Sequence, residues 1–221
     1  MKMRIGYLLG LLIWLETPVL AQGRFSVGLT AAPVLSHASV RQTLALPNGS
    51  GQLDYQTFDT RSTASGYVVG GVVQYNFTPK WSATSGLWYN QFRTESTYPF
   101  APGSIPARVI SSTFRVPLTV NYRLTVRRLS PYVSAGAMGS FRRPTLYKPD
   151  AGSGLGDTKV LFGRHAVTVQ ALVGAGASYQ INPHWSLTVQ PQLIWSFQPK
   201  GNYERYVSYQ LNGQTQLLYT F

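Results

Sequence analysis

The sequence predicts an all-β fold, an eight-stranded antiparallel up-and-down β-barrel of the transmembrane kind, on three observations. The first is composition. Of 221 residues only 12% are charged, about half the ~25% of ordinary globular domains, too few to cover a water-facing surface. Mean hydropathy is nevertheless close to zero, so the polarity comes from Ser, Thr, Gln, Asn, Gly and Tyr, a strand-rich rather than a membrane-helix composition. The second observation is alternation with period two in segment after segment, which gives each strand two chemically different faces. The third is that the connections between these segments alternate between short and long, as they do in transmembrane barrels.

Taken in order, the chain opens with Lys2 and Arg4, an apolar run from Ile5 to Leu15, then Pro18 and Ala21. That is a basic region, an apolar core of about eleven residues and a small-residue cleavage site, so residues 1–21 read as a signal peptide cut between Ala21 and Gln22. Eleven residues are too few for a helix to span the membrane, which takes about twenty. Residues 22–221 form the expected barrel. Removing Lys2, Arg4 and Glu16 from 19 basic and 7 acidic residues leaves a net charge near +11.

A weak run at Phe25 to Ala31 opens the barrel. In the next segment Tyr67, Val69, Val73, Tyr75 and Phe77 alternate with Gly70, Gln74 and Asn76. A weaker run covers Trp81 to Phe92. The cleanest alternation places Phe114, Val116, Leu118, Val120 and Tyr122 opposite Arg115, Pro117, Thr119, Asn121 and Arg123. Tyr132 to Phe141 follows, then Val167 to Ile181 against Thr168, Gln170, Ser178 and Gln180. Leu187, Val189, Leu193 and Trp195 oppose Ser186, Thr188, Gln190 and Gln192. The chain ends on Val207, Tyr209, Leu211, Leu217, Tyr219 and Phe221 against Gln210, Asn212, Gln214 and Gln216. Short connections are expected at Thr78–Lys80, Leu124–Ser130 and Asn182–His184. Long ones are expected at Val34–Thr63, Glu95–Arg108, Pro144–Arg164 and Gln198–Tyr206. With eight strands both termini lie on the short-turn side, which for such barrels is the periplasm.

Tyr75-Asn76-Phe77-Thr78-Pro79-Lys80-Trp81-Ser82 is echoed half a barrel away by Tyr179-Gln180-Ile181-Asn182-Pro183-His184-Trp185-Ser186. In each copy Pro closes a tight turn and Trp opens the next strand, where an indole suits the headgroup boundary. Trp81, Trp185, Tyr122, Tyr219 and Phe221 then form a periplasmic aromatic girdle, and Tyr67, Tyr89, Trp195, Phe197 and Tyr209 an outer one.

With these residues in view, the leader ending in Ala21-Gln22, the strand layout, the Pro-x-Trp turns and the terminal Tyr219-Thr220-Phe221 resemble the outer-membrane β-barrel domain family common in Bacteroidota. The resemblance implies insertion by the barrel-assembly machinery through the aromatic-terminated last strand. It also implies kinship with a secretion-associated barrel of the type IX system, alongside many members of other roles.

Catalytic candidates are sparse. His184-Trp185-Ser186 resembles the His-x-Ser pair of lipid A deacylases, but it falls on a turn and no Asp or Glu lies between Asp157 and Glu204 to complete a triad. The carboxylates Asp54, Asp59, Glu95, Asp150, Asp157 and Glu204 lack metal-ligand spacing, and there is no Cys. No cofactor is expected, and the chain reads as non-enzymatic.

Arg93, Arg108, Arg142, Arg143, Arg164 and Arg205 fall near the expected outer strand ends. Guanidinium forks there would engage lipopolysaccharide phosphates. On the opposite face from the lipid, Arg115 and Arg123 are expected to pack with Asn121, Gln190 and Gln192 as a polar plug filling the lumen of an eight-stranded barrel. A narrow anion pore is the alternative reading of Arg115. Nucleic acid is excluded as a partner by export. External loops, above all the first, carry any binding role, and membership of an export or uptake apparatus is the second functional reading.

Overall fold

The computed structural model describes residues 24–47, 53–97, 106–149, 156–160, 167–197 and 203–221. The leader, with Ala21 and Gln22, lies outside them. The strands are β1 (Phe25–Pro47), β2 (Leu53–Asn76), β3 (Trp81–Thr97), β4 (Pro106–Arg123), β5 (Leu129–Arg142), β6 (Thr145–Pro149), β7 (Thr158–Val160), β8 (Val167–Gln180), β9 (Trp185–Ser196) and β10 (Tyr203–Thr220).

Eight of these close into a ring. The hydrogen-bonded order is β3-β2-β1-β10-β9-β8-β5-β4, and β4 returns to pair with β3. All pairings are antiparallel, so no edge remains around the ring. β6 and β7 hang from the upper part of β4 as a short flap. Following partners around the ring from Ser26 through Gln74, Thr84, Thr119, Gly136, Leu172, Ile194 and Gln210 returns to β1 at Ser36, ten residues on. That stagger tilts the strands by about 45° and sets a narrow bore.

Strand parity sorts the side chains as the alternation requires. Inward positions are buried, while the outer wall carries Leu29 at 71% exposure, Leu87, Leu118, Val169, Val173 and Leu211. An apolar belt running around a whole molecule is far larger than water tolerates, so its solvent is hydrocarbon.

Three of the prolines in the ring strands interrupt a ladder. The β1–β10 ladder skips at Pro33, β3–β4 at Pro117 and β8–β9 at Pro191, because a residue without an N–H cannot complete the pairing. At Pro117 the Ser85 hydroxyl donates to the proline carbonyl at 2.9 Å.

The first long connection is corrected by the ladder. Where a loop of about thirty residues was expected from Val34 to Thr63, β1 and β2 run to 23 and 24 residues and remain in register from Phe25↔Tyr75 to Pro47↔Leu53. Thr43, Thr57 and Arg41 lie on strands, and only residues 48–52 separate the two. Thr57, Thr60 and Thr63 fall on both parities of the strand, which suits a ribbon wet on both faces and lacks the apolar stripe used to find the others.

Candidate functional site

The two ends of the barrel differ, one carrying short turns and both described ends of the chain, the other the strand extensions. At the turn end the repeated motif builds the same turn twice. Thr78 Oγ1 accepts from the Lys80 and Trp81 backbone N–H groups at 3.3 and 3.0 Å. Asn182 Oδ1 accepts from His184 and Trp185 at 2.9 and 2.7 Å. Each turn then delivers its Trp to an aromatic cluster. Trp81 lies 4.7 Å from Tyr122 between ring centroids, Trp185 lies 5.2 Å from Tyr219, and Tyr219 stands edge-on to Phe221 at 5.3 Å. Phe25 and the Tyr75–Phe77 pair extend the band.

The lumen above it is packed. Its lower part is a network of short side chains and amides. Asn121 donates to Thr84 at 2.8 Å, Ser134 to Gln190 at 3.0 Å, Gln190 to Gln214 at 2.9 Å and Gln214 to Thr30 at 3.2 Å. Inward glycines make the room: a Cβ on Gly174 would fall 2.8 Å from Ser134 Oγ and 2.9 Å from Gln192 Cγ. Asn121, Gln190 and Gln192 thus stand in the lumen, and Arg123 faces Tyr132 across the β4–β5 ladder at its lower mouth.

The middle of the lumen departs from the expected polar plug. Ala32, Val34, Val68, Val72, Trp88, Met138, Leu172, Ile194 and Leu218 form a buried apolar cluster inside the barrel. Arg115, 2% exposed, is set into this layer beside Trp88, 1% exposed, with its guanidinium carbon 5.8 Å from the Phe92 ring centre. Arg115 Nε and Nη1, Trp88 Nε1 and both Asn90 Nδ2 and Oδ1 lack hydrogen-bond partners on the β3–β4 wall. Gln192 Oε1, Gln210 Oε1, Asn212 Oδ1 and Gln216 Oε1 lack them on the β9–β10 wall. β4 and β10 are four strands apart around the ring, so the two sets lie on opposite walls, mostly donors on one and acceptors on the other. Trp88 was legible: it follows from the parity of outward Leu87 and Tyr89, but an aromatic inside a barrel runs against the polar-lumen rule.

At the loop end Arg93, Arg108 and Arg205 are exposed, and Arg143 lies 5.6 Å over the ring of Phe114. Arg142 shares the parity of inward Met138 and Ser140, so it belongs to the upper mouth of the lumen rather than to the outward wall. Arg164 lies outside the described residues. Arg41, not singled out from sequence, pairs with Glu204 at 3.2 Å, and Thr43 donates to the same carboxylate, tying the β1 extension to β10.

His184 is engaged by its neighbours at the turn end. Its Nδ1 lies 3.1 Å from the Thr220 carbonyl oxygen and its ring stacks on Tyr219 at 5.7 Å, while Ser186 is buried at the lumen wall. Among the described residues no three His, Asp or Glu side chains gather as a metal site.

The chain matches a family model, the outer membrane protein beta-barrel domain, over residues 25–213. No curated protein sequence matches it. Among solved structures it is similar to OprG from Pseudomonas aeruginosa, with 13% identity over 91% of this chain and 97% of that one and a TM-score of 0.49. The outer membrane protease OmpT from Escherichia coli gives 13% identity, 93% and 99% coverage and a TM-score of 0.47. Ail, the attachment invasion locus protein of Yersinia pestis, gives 11% identity, 90% and 99% coverage and a TM-score of 0.43.

Proposed function

The chain belongs to the outer membrane protein beta-barrel domain family, and on that premise we propose that it is a non-enzymatic, non-conducting outer-membrane barrel whose work is binding at the cell surface. The observation that carries this reading is the continuation of β1 and β2 beyond the barrel. β2 pairs with β3 only from Ser65↔Arg93 downward, so among the described residues its segment from Leu53 to Ala64 is paired on one side alone. An unpaired strand edge offers a row of backbone donors and acceptors to a partner, which is how extended segments are captured without a pocket.

In this reading residues 1–21 are the cleaved leader and the turn end faces the periplasm. The last strand engages the barrel-assembly machinery, and the Bacteroidota-type family branch is supported by the Pro-x-Trp turns. Arg93, Arg108, Arg143 and Arg205 grip lipopolysaccharide phosphates from the outward wall. The packed apolar layer around Met138 and Ile194 supports a closed lumen. Shortening the β1–β2 extension by removing residues 40–61 tests the binding role. Intact cells should lose surface adhesion to host matrix or sibling cells while the barrel still assembles, and unchanged adhesion in every assay would defeat the reading. Unchanged lipid A masses with and without the gene are expected for a non-enzyme. Export-apparatus membership remains the second reading, supported if a periplasmic subunit crosslinks stably to the turn end.

A further inference from the structure

The charges of the barrel are segregated along its axis. Among the described side chains the carboxylates, Asp59, Glu95, Asp157 and Glu204, all sit on the loop-end half. The ion pairs form there too, between Arg41 and Glu204, Arg61 and Asp59, and Lys148 and Asp157. At the turn end a cavity of about 440 Å³ opens into the lower mouth of the lumen. It is lined by Arg24, Arg123, Arg127 and Arg128, with Asn76 and Gln180 supplying amides, and by no carboxylate side chain. Ser130 fixes part of this wall by donating to the Arg127 carbonyl at 2.8 Å. Arg123 comes from a strand, half-buried opposite Tyr132, while Arg127 and Arg128 come from the β4–β5 turn and Arg24 from the segment entering β1. Three separate pieces of backbone therefore bring arginines to the lining of one concavity.

Like charges with no carboxylate side chain among the lining residues repel, and concave walls of low dielectric concentrate their field. We propose that this mouth is a binding site for a phosphate group. Guanidinium forks match phosphate oxygens, and a phosphate offers several arginines at once two free acceptor oxygens and one charge as a diester, or three oxygens and about two charges as a monoester. The side of the membrane from which it fills rests on the orientation given above, whereas the chemistry of the site does not. Two sources present this group at the turn end: the headgroup of an anionic phospholipid, and a soluble phosphorylated molecule.

Calorimetric titration of inorganic pyrophosphate into the full barrel in alkyl maltoside micelles tests it. One saturable site is expected, weakened about tenfold in Arg123→Gln and in Arg127→Gln, the loss of a charged hydrogen bond each, and unchanged in Lys148→Gln at the other end. Heat-modifiable electrophoretic mobility confirms that each variant is folded. Doping the micelles with phosphatidylglycerol separates the sources: competition assigns the lipid headgroup, and undiminished binding assigns a soluble phosphate. Absence of binding, equal affinity for succinate, or equal weakening by Lys148→Gln would overturn the proposal. Labelling of a Pro79→Cys variant on whole cells by an impermeant thiol reagent would overturn the orientation alone and leave the binding result standing.

Discussion

Trp88 and Arg115 are direct cross-strand partners on the inner wall of the barrel, both almost completely buried, and three of their nitrogens have no hydrogen-bond acceptor. A guanidinium held this way carries its desolvation cost without an ion pair to offset it. The flat face of Phe92 offsets only part of that cost.

Replacing Arg115 by an apolar residue of similar length should therefore stabilise the barrel. Arg115→Met is expected to raise the unfolding free energy by about 2 kcal/mol, read from urea unfolding in micelles. A loss of stability would show that the guanidinium is satisfied in the folded protein.

The same layer should keep ions out. The wild-type barrel is expected to give no steady conductance in planar bilayers, whereas truncating Trp88 and Met138 together to Ala removes two of the largest buried side chains and should admit brief openings. Steady anion-selective current in the wild type, lost in Arg115→Ala, would contradict the closed lumen.

Adjacent glycines on β2 should respond in opposite ways. A Cβ on Gly70 would meet the Leu87 carbonyl oxygen at 2.3 Å and Trp88 Cδ1 at 2.9 Å, while one on Gly71 meets nothing within 4 Å. Gly70→Val should abolish the folded band in unboiled electrophoresis, and Gly71→Val, on the lipid-facing side, should leave it intact.

The duplicated turn gives a matched pair. Asn182→Ala removes two backbone-to-side-chain hydrogen bonds and should cost about 1 kcal/mol. Thr78→Ala removes two longer ones and should cost less. Chemical denaturation of the two single variants and the double checks the order.

The ring of strands was readable because lipid on one side and packed interior on the other force strict parity, as at Phe114 to Tyr122. The β1–β2 extension was not, since Thr43 and Thr57, whose hydroxyls bond across it at 2.7 Å, belong to a ribbon wet on both faces. The lumen was half legible. Gln190 and Asn121 followed from alternation, but Val68, Val72 and Met138 were hidden, because a barrel of this bore accepts any side chain that fills it. The basic cavity at the turn end was missed because Arg24, Arg123 and Arg127 are scattered through the sequence and meet only when three connections converge.

Ring closure is made by the first and last strands, joined from Ser26↔Thr220 upward, with the Ser26 and Thr220 hydroxyls 2.8 Å apart across 194 residues of chain. The seam therefore cannot form until β10 has been made and reaches β1. Every shorter nascent chain carries two raw edges and depends on a chaperone to mask them. A stop codon a few residues early would then be far more damaging than the same number of residues deleted from the tip of the β1–β2 hairpin.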